Sequence, residues 1–225
     1  MSIADNLKTI STTLPEQVTL VAVSKTKPLS ALQEAYDAGQ RVFGENRVEE
    51  LVEKDQVLPN DIEWHMIGHL QSKKTKYIAP FVSLIHGVDS FKLLGEINKQ
   101  AERNDRVIDC LIQFHIATES TKFGFDFSSV DTWLDQGNLS ELKNIRLRGV
   151  MGMATFTENE SQVREEFQNL KRIFDRLKDA HFGSNDYFGQ ISMGMSGDYR
   201  IALEEGSTMI RVGSLIFGSR DYSNF

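Results

Sequence analysis

VTLVAVSKTKP, residues 18–28, decides the fold. Its first half is a run of β-branched and apolar residues that reads as a buried strand, and Pro28 opens a helical stretch, SALQEAYDAGQ. An open doubly wound sheet places a glycine-rich phosphate loop after its first strand; here the strand ends in SKTKP, and neither GxGxxG nor GxxxxGK[ST] occurs anywhere in the chain. Seven further short apolar runs follow: RVFGEN (41–46), EWHMIG (63–68), SLIHGVD (83–89), VIDCLIQFHI (107–116), IRLRGVMGM (145–153), FGQISMGM (188–195) and TMIRVGSLIFG (208–218). Helical segments separate them, among them VEELVEKDQ, FKLLGEINKQAERN and the long NESQVREEFQNLKRIFDRLKDAHFG. The last repeats Val163, Phe167, Leu170, Phe174 and Leu177 at helical spacing and stops at a glycine, as an outer helix packed on a sheet does. Strand and helix in strict alternation predict parallel pairing through crossovers, hence an α/β fold of the (β/α)8 TIM-barrel type. No stretch reads as a linker, so residues 1–225 are expected to form a single barrel domain.

Charge and composition narrow the function. A net charge of −7 disfavours a general nucleic-acid or anionic-membrane binder, and no apolar stretch approaches the length of a membrane span. With a polar N-terminus, a cytoplasmic location is expected. Cys110, the only cysteine, lies in an apolar run and reads as a small buried hydrophobe. His65 and His69 have metal-ligand spacing only on a helix, whereas on a strand four residues span roughly 13 Å, so no metal site is expected. GMSGD lacks the GxSxG pattern of a hydrolase elbow, and KKTK (73–76) reads as a solvated helix face.

In a barrel the chemistry collects at the C-terminal strand ends. Lys25 stands there, on the same strand face as Val21 and Val23. Facing inward, its amine would be desolvated, its pKa lowered, and the neutral form available to condense with an aldehyde; facing outward, it would only snorkel to water. Lys27 competes, but its place before Pro28 suggests a rim position in water. The loops ending the last two strands, GMSGDY and IRVGSLIFG, each put a small pair, Ser196-Gly197 and Gly213-Ser214, ahead of a short helix. Such loops suit a phosphate, though serine and glycine also serve as ordinary caps and turns. Arg211 interrupts the apolar last strand and needs a partner. That partner is a carboxylate such as Glu45, or the ring nitrogen of pyridoxal 5′-phosphate (PLP), which a permanently charged arginine would keep unprotonated.

VAVSKTKP, FGEN, WHMIGHLQSKK, ESTKFG, RGVMGM, SMGMSGDY, GSTMIRVGSLIFG and the closing RDY together resemble the pyridoxal phosphate homeostasis proteins, over nearly the whole chain and in the family's order. The resemblance implies the barrel of the alanine racemase N-terminal domain, with PLP held as a Schiff base on Lys25. It places Ser196, Gly213 and Ser214 at the phosphate, where the loop reading adds Gly197, with Arg211 at the ring nitrogen, Asn46 beside the ring and Lys122 near the site. Lys73 stands where the family usually has an asparagine, with no role that follows from the sequence. The function implied is PLP carriage and buffering, with apo PLP-dependent enzymes as recipients and a monomer as the working form. The alternatives are a PLP-dependent amino-acid racemase and a Schiff-base aldolase. A racemase needs bases on both faces of the substrate carbon, and with the sequence ending at SRDYSNF only Tyr222 offers itself as a second base, so no turnover is expected.

Overall fold

The computed structural model describes residues 2–118 and 123–218. Lys122, Tyr222 and the closing RDY lie outside the described residues. Eight parallel strands close into a barrel in sequence order: β1 (Thr19–Val23), β2 (Val42–Glu45), β3 (Glu63–Met66), β4 (Leu84–Val88), β5 (Ile108–Gln113), β6 (Ile145–Met151), β7 (Gln190–Met195) and β8 (Met209–Val212). Each falls within one of the eight apolar runs. The barrel expected from the alternation is therefore the one observed, and β1 closes it by pairing with β8, Val21 opposite Arg211.

Around the barrel run α1 (Ile3–Ser11), α2 (Leu29–Asp37), α3 (Val48–Asp55), α4 (Thr75–Ile78), α5 (Phe91–Arg103), α6 (Phe127–Asp135), α7 (Glu160–His181), α8 (Tyr199–Glu204) and α9 (Ser214–Phe217). The long amphipathic segment is α7. Its buried face carries Val163, Phe167, Leu170, Phe174 and Leu177, and the Asn159 side chain caps its first turn by accepting from the Gln162 N–H.

Strand alternation divides the buried residues in two. Outward residues such as Ala22, Phe43, Trp64, Ile85 and Ile210 join the helices in one continuous core. Inward residues of five strands, Val21, Leu84, Leu111, Met151 and Met209, meet in a second, small cluster. The interior also holds polar side chains at the level above, and these define the site. Cys110 is fully buried, as expected, and burial pushes its thiol pKa far up, which leaves it unreactive.

Candidate functional site

Lys25 follows β1. Ser24 continues the ladder through its N–H to Gly44 O and sends its hydroxyl outward to Glu45, so alternation turns Lys25 toward the barrel mouth. There it is half-buried rather than sealed, a weaker desolvation than the sequence suggested. Lys27 is not a rim lysine in water. It is half-buried, and its ammonium donates to Phe217 O at 3.0 Å and Gly218 O at 3.1 Å, binding the end of α9 to the β1–α2 loop.

The two small-residue loops come together as expected. Gly213 N–H donates to Ser196 Oγ at 3.3 Å. Ser196 is not the cap of α8, because Asp198 occupies that position and accepts the Met195 N–H through its carboxylate at 2.5 Å. At Gly213 an added Cβ would lie 3.0 Å from Val23 O, so a side chain there would press on the end of β1 just below Lys25. At Gly197 an added Cβ would meet nothing within 4 Å, which leaves open space over the loop. Ser214, the first residue of α9, is exposed, and Asn46, half-buried, follows β2. A Cβ at Gly68 would lie 2.4 Å from Asn46 O, so the ends of β2 and β3 also approach through a glycine.

Arg211 is 4% exposed and points into the interior, on the same strand face as Met209. Its partner is not Glu45, which lies on the outer face against α3. The guanidinium donates to Ser192 Oγ and, at 3.0 Å, to Gly152 O. Burial lowers its pKa to about 10, which leaves it charged at neutral pH.

Beyond Ser192 the polar line continues to His86 Nδ1 at 2.9 Å and from His86 Nε2 to His65 Nδ1 at 3.0 Å. Arginine only donates, so Ser192 accepts from it and spends its own hydrogen on His86 Nδ1. His86 then carries its proton on Nε2 and donates to His65. A chain of four side chains from β3, β4, β7 and β8 thus holds the guanidinium in place. Sequence reading named Arg211 but missed Ser192 and His86. Their signal was a polar residue at an inward position of an apolar strand, and it is ambiguous until the register is known.

Both imidazoles are held neutral. Burial pushes His65 down to about 3, and burial, reinforced by His65 and Arg211, pushes His86 well below 6.5. The unfolded chain binds protons on both histidines below about pH 6.5, whereas in the folded chain both resist protonation well below that. Their contribution to stability is therefore complete above the unfolded pKa and lost as pH falls. Denaturant unfolding should show a lower stability at pH 5.5 than at pH 7 on their account, and His86→Gln should make that drop smaller. An unchanged slope in the variant would show that the histidines are not the cause.

His69, the other member of HMIGH, lies past β3, pairs with Asp89 at 2.8 Å and stacks on Phe123, away from His65. Within KKTK, Thr75 is fully buried rather than solvated, Lys74 pairs with Glu49 and Lys76 lies over the Tyr77 ring.

An amine at the mouth, a fixed cationic donor within, and serine hydroxyls beside glycines on two joined loops are a donor set that PLP fits. Comparison with known proteins agrees. Residues 1–221 match the family model of the alanine racemase N-terminal domain. Proteins named pyridoxal phosphate homeostasis protein from Vibrio alginolyticus and Aquifex aeolicus are 42% and 39% identical to the chain, over 93% and 90% of it and 89% and 87% of their own lengths. The structure of PipY from Synechococcus elongatus PCC7942 with PLP bound superposes with a TM-score of 0.87 at 34% identity, covering 96% of this chain and all of that one. An alanine racemase of Clostridium difficile 630 shares the fold at a TM-score of 0.78 and 15% identity, with 99% of this chain matching 57% of the racemase. The chain belongs to the pyridoxal phosphate homeostasis protein family, within the wider family of alanine racemase N-terminal domains.

Proposed function

We propose that this protein binds PLP through a Schiff base on Lys25 and serves in PLP homeostasis as a carrier and buffer, without turnover. The observation that carries the reading is the closure of the barrel: β1–β8 pairing sets Lys25 at the same mouth as Gly213, Ser214 and the joined Ser196–Gly197 loop, above the buried Arg211. PLP supplies an aldehyde that links to an amine and a ring that withdraws electrons. The chain's residues do the rest. Lys25 offers the amine, while Ser196, Gly197, Gly213 and Ser214 supply hydroxyl and N–H donors to the phosphate. Asn46 flanks the ring.

Arg211 donates to the ring nitrogen. The Ser192–His86–His65 line holds its guanidinium, and a charged arginine at that nitrogen disfavours its protonation. A ring so held is a weak electron sink, which suits custody of the cofactor better than carbanion chemistry. The names of the relatives, homeostasis proteins rather than enzymes, support the same choice. Apo PLP-dependent enzymes would be the recipients, the monomer the working form and the cytoplasm the place. No helix among the described residues is long and apolar enough to cross a membrane.

The purified protein titrated with PLP should develop a visible imine band, and the loaded protein should leave a panel of L-amino acids unchanged. A protein that stays colourless would overturn PLP binding. Formation of D-isomers, keto acids or amines would favour the PLP-enzyme alternative, and cleavage of a sugar phosphate without PLP would favour the aldolase.

A further inference from the structure

We infer that Glu50 and Lys54 of α3 are positioning residues for Lys25: from outside the barrel they clamp the backbone on both sides of it, so that its amine is presented at the mouth. This rests on the reading of Lys25 as the PLP lysine and concerns residues that the reading does not use.

The clamp is visible in the bonds to the two neighbours of Lys25. On one side, Lys54 Nζ donates to Ser24 O at 2.9 Å, the carbonyl of the peptide that enters Lys25. The same ammonium pairs with Glu45 Oε1 at 2.6 Å, and the Ser24 hydroxyl donates to that oxygen at 2.6 Å. On the other side, the Thr26 N–H donates to Glu50 Oε2 at 2.7 Å. Glu50 also stands 3.4 Å from Lys54, one helical turn away on α3. Every one of these partners comes from β2 or α3, and they bind residues 24 and 26 on either side of Lys25.

Two features are unexpected for a bond set that serves stability alone. Glu45 is fully buried with its second oxygen unpartnered, and Lys54 is almost as deeply buried, an expensive way to join a helix to a strand when apolar residues would serve. Thr26 has φ +63°, left-handed backbone that a β-branched residue adopts only at a cost and under constraint from its surroundings. Asp105, which also has positive φ, follows α5 in a turn, where an aspartate is tolerated. Strain beside a functional side chain, held by charged groups that reach only its backbone, is how a loop is kept in a conformation it would not choose.

Removing Lys54 leaves a buried carboxylate without its counter-charge and threatens the fold, so the test is made on Glu50. Wild type, Glu50→Ala and Glu50→Gln are compared in two measurements. The first is amide hydrogen exchange of residues 24–27 without ligand. The second is the rate at which added PLP becomes fixed to Lys25 by borohydride, read from the mass of the Lys25 peptide. Glu50→Ala should exchange faster at Thr26 and label Lys25 about tenfold more slowly, in keeping with the sensitivity of such reactions to small misplacements. Glu50→Gln should restore most of both, because its amide oxygen still accepts from Thr26.

Faster exchange with an unchanged labelling rate would make Glu50 a stability residue only and overturn the inference. Slower labelling with unchanged exchange, or failure of the glutamine variant to rescue, would overturn it as well, since Glu50 would then act by charge and not through the loop. A wild-type protein that takes up PLP elsewhere than Lys25 would refute the parent reading and the inference together, and the wild-type arm reveals that case by itself.

Discussion

Replacing Lys25 by alanine is expected to abolish borohydride-fixed incorporation of PLP and the visible imine band, whereas Lys27→Ala should leave both in place. The two lysines are two residues apart and of like chemistry, so the contrast isolates position. Lys27 is committed to the carbonyls of Phe217 and Gly218, and releasing that ammonium would cost it two charge-assisted bonds. Lys54 is buried against Glu45 and equally committed. Lys25, half-buried like Lys27, stands at the mouth. The loss in Lys25→Ala should be qualitative, because the amines of Lys27 and Lys54 are held by other partners. Non-covalent PLP binding should survive in weakened form through the Ser196 and Gly213 loops and Arg211, and equilibrium dialysis would detect it. Labelling that persists undiminished in Lys25→Ala would remove the residue from the site.

Gly149→Ala is expected to prevent folding altogether. Gly149 sits in β6 with φ +151°, where the β5 register shifts between Cys110 and Leu111, and it faces Gln190 of β7. An added Cβ would lie 1.8 Å from Gln190 O and 2.7 Å from Gln190 C. Both are backbone atoms of a neighbouring strand, so no side chain can move aside, and a closed barrel has no free edge at which β7 could retreat. The cost should exceed the roughly 4–5 kcal/mol that marks an exceptional single substitution, against a total stability of about 5–15 kcal/mol for a domain. Gly95→Ala in α5 is the matched control. An added Cβ there meets nothing within 4 Å, and helix propensity alone should make the variant more stable by up to about 1 kcal/mol. Soluble yield and circular dichroism of the pair would check both. A folded Gly149→Ala with near-normal melting would mean that the β6–β7 contact is looser than described.

Several features were legible before any coordinates because they depend on near neighbours in the chain. The period-two runs of β1 and β8 mark strands whatever they pair with, and the spacing of Val163, Phe167, Leu170, Phe174 and Leu177 marks α7 in isolation. Arg211 announced itself because a charge in the middle of MIRV is improbable unless something inside answers it. What answers it was not legible. Glu45 and Arg211 looked equally available to each other, yet they sit on opposite faces of the sheet. Arg211 turned out to be met by Ser192 and the Gly152 carbonyl, with His86 behind Ser192, and their relevance depends on which residues of β4, β7 and β8 share a level of the barrel. Lys27 was misjudged for a related reason, since its partners lie 190 and 191 residues away.

The sequence by itself determined the alternation of eight strands with helices, the lysine at the end of β1 and the arginine within β8, because local periodicity and turn chemistry are properties of short stretches. Only the tertiary structure decided that residues 25, 196 and 213 share one mouth, that a line of neutral histidines backs Arg211, and that α3 grips the chain on either side of Lys25. Those relations follow from barrel closure and strand register, and a one-residue slip in register would reverse which face each side chain takes.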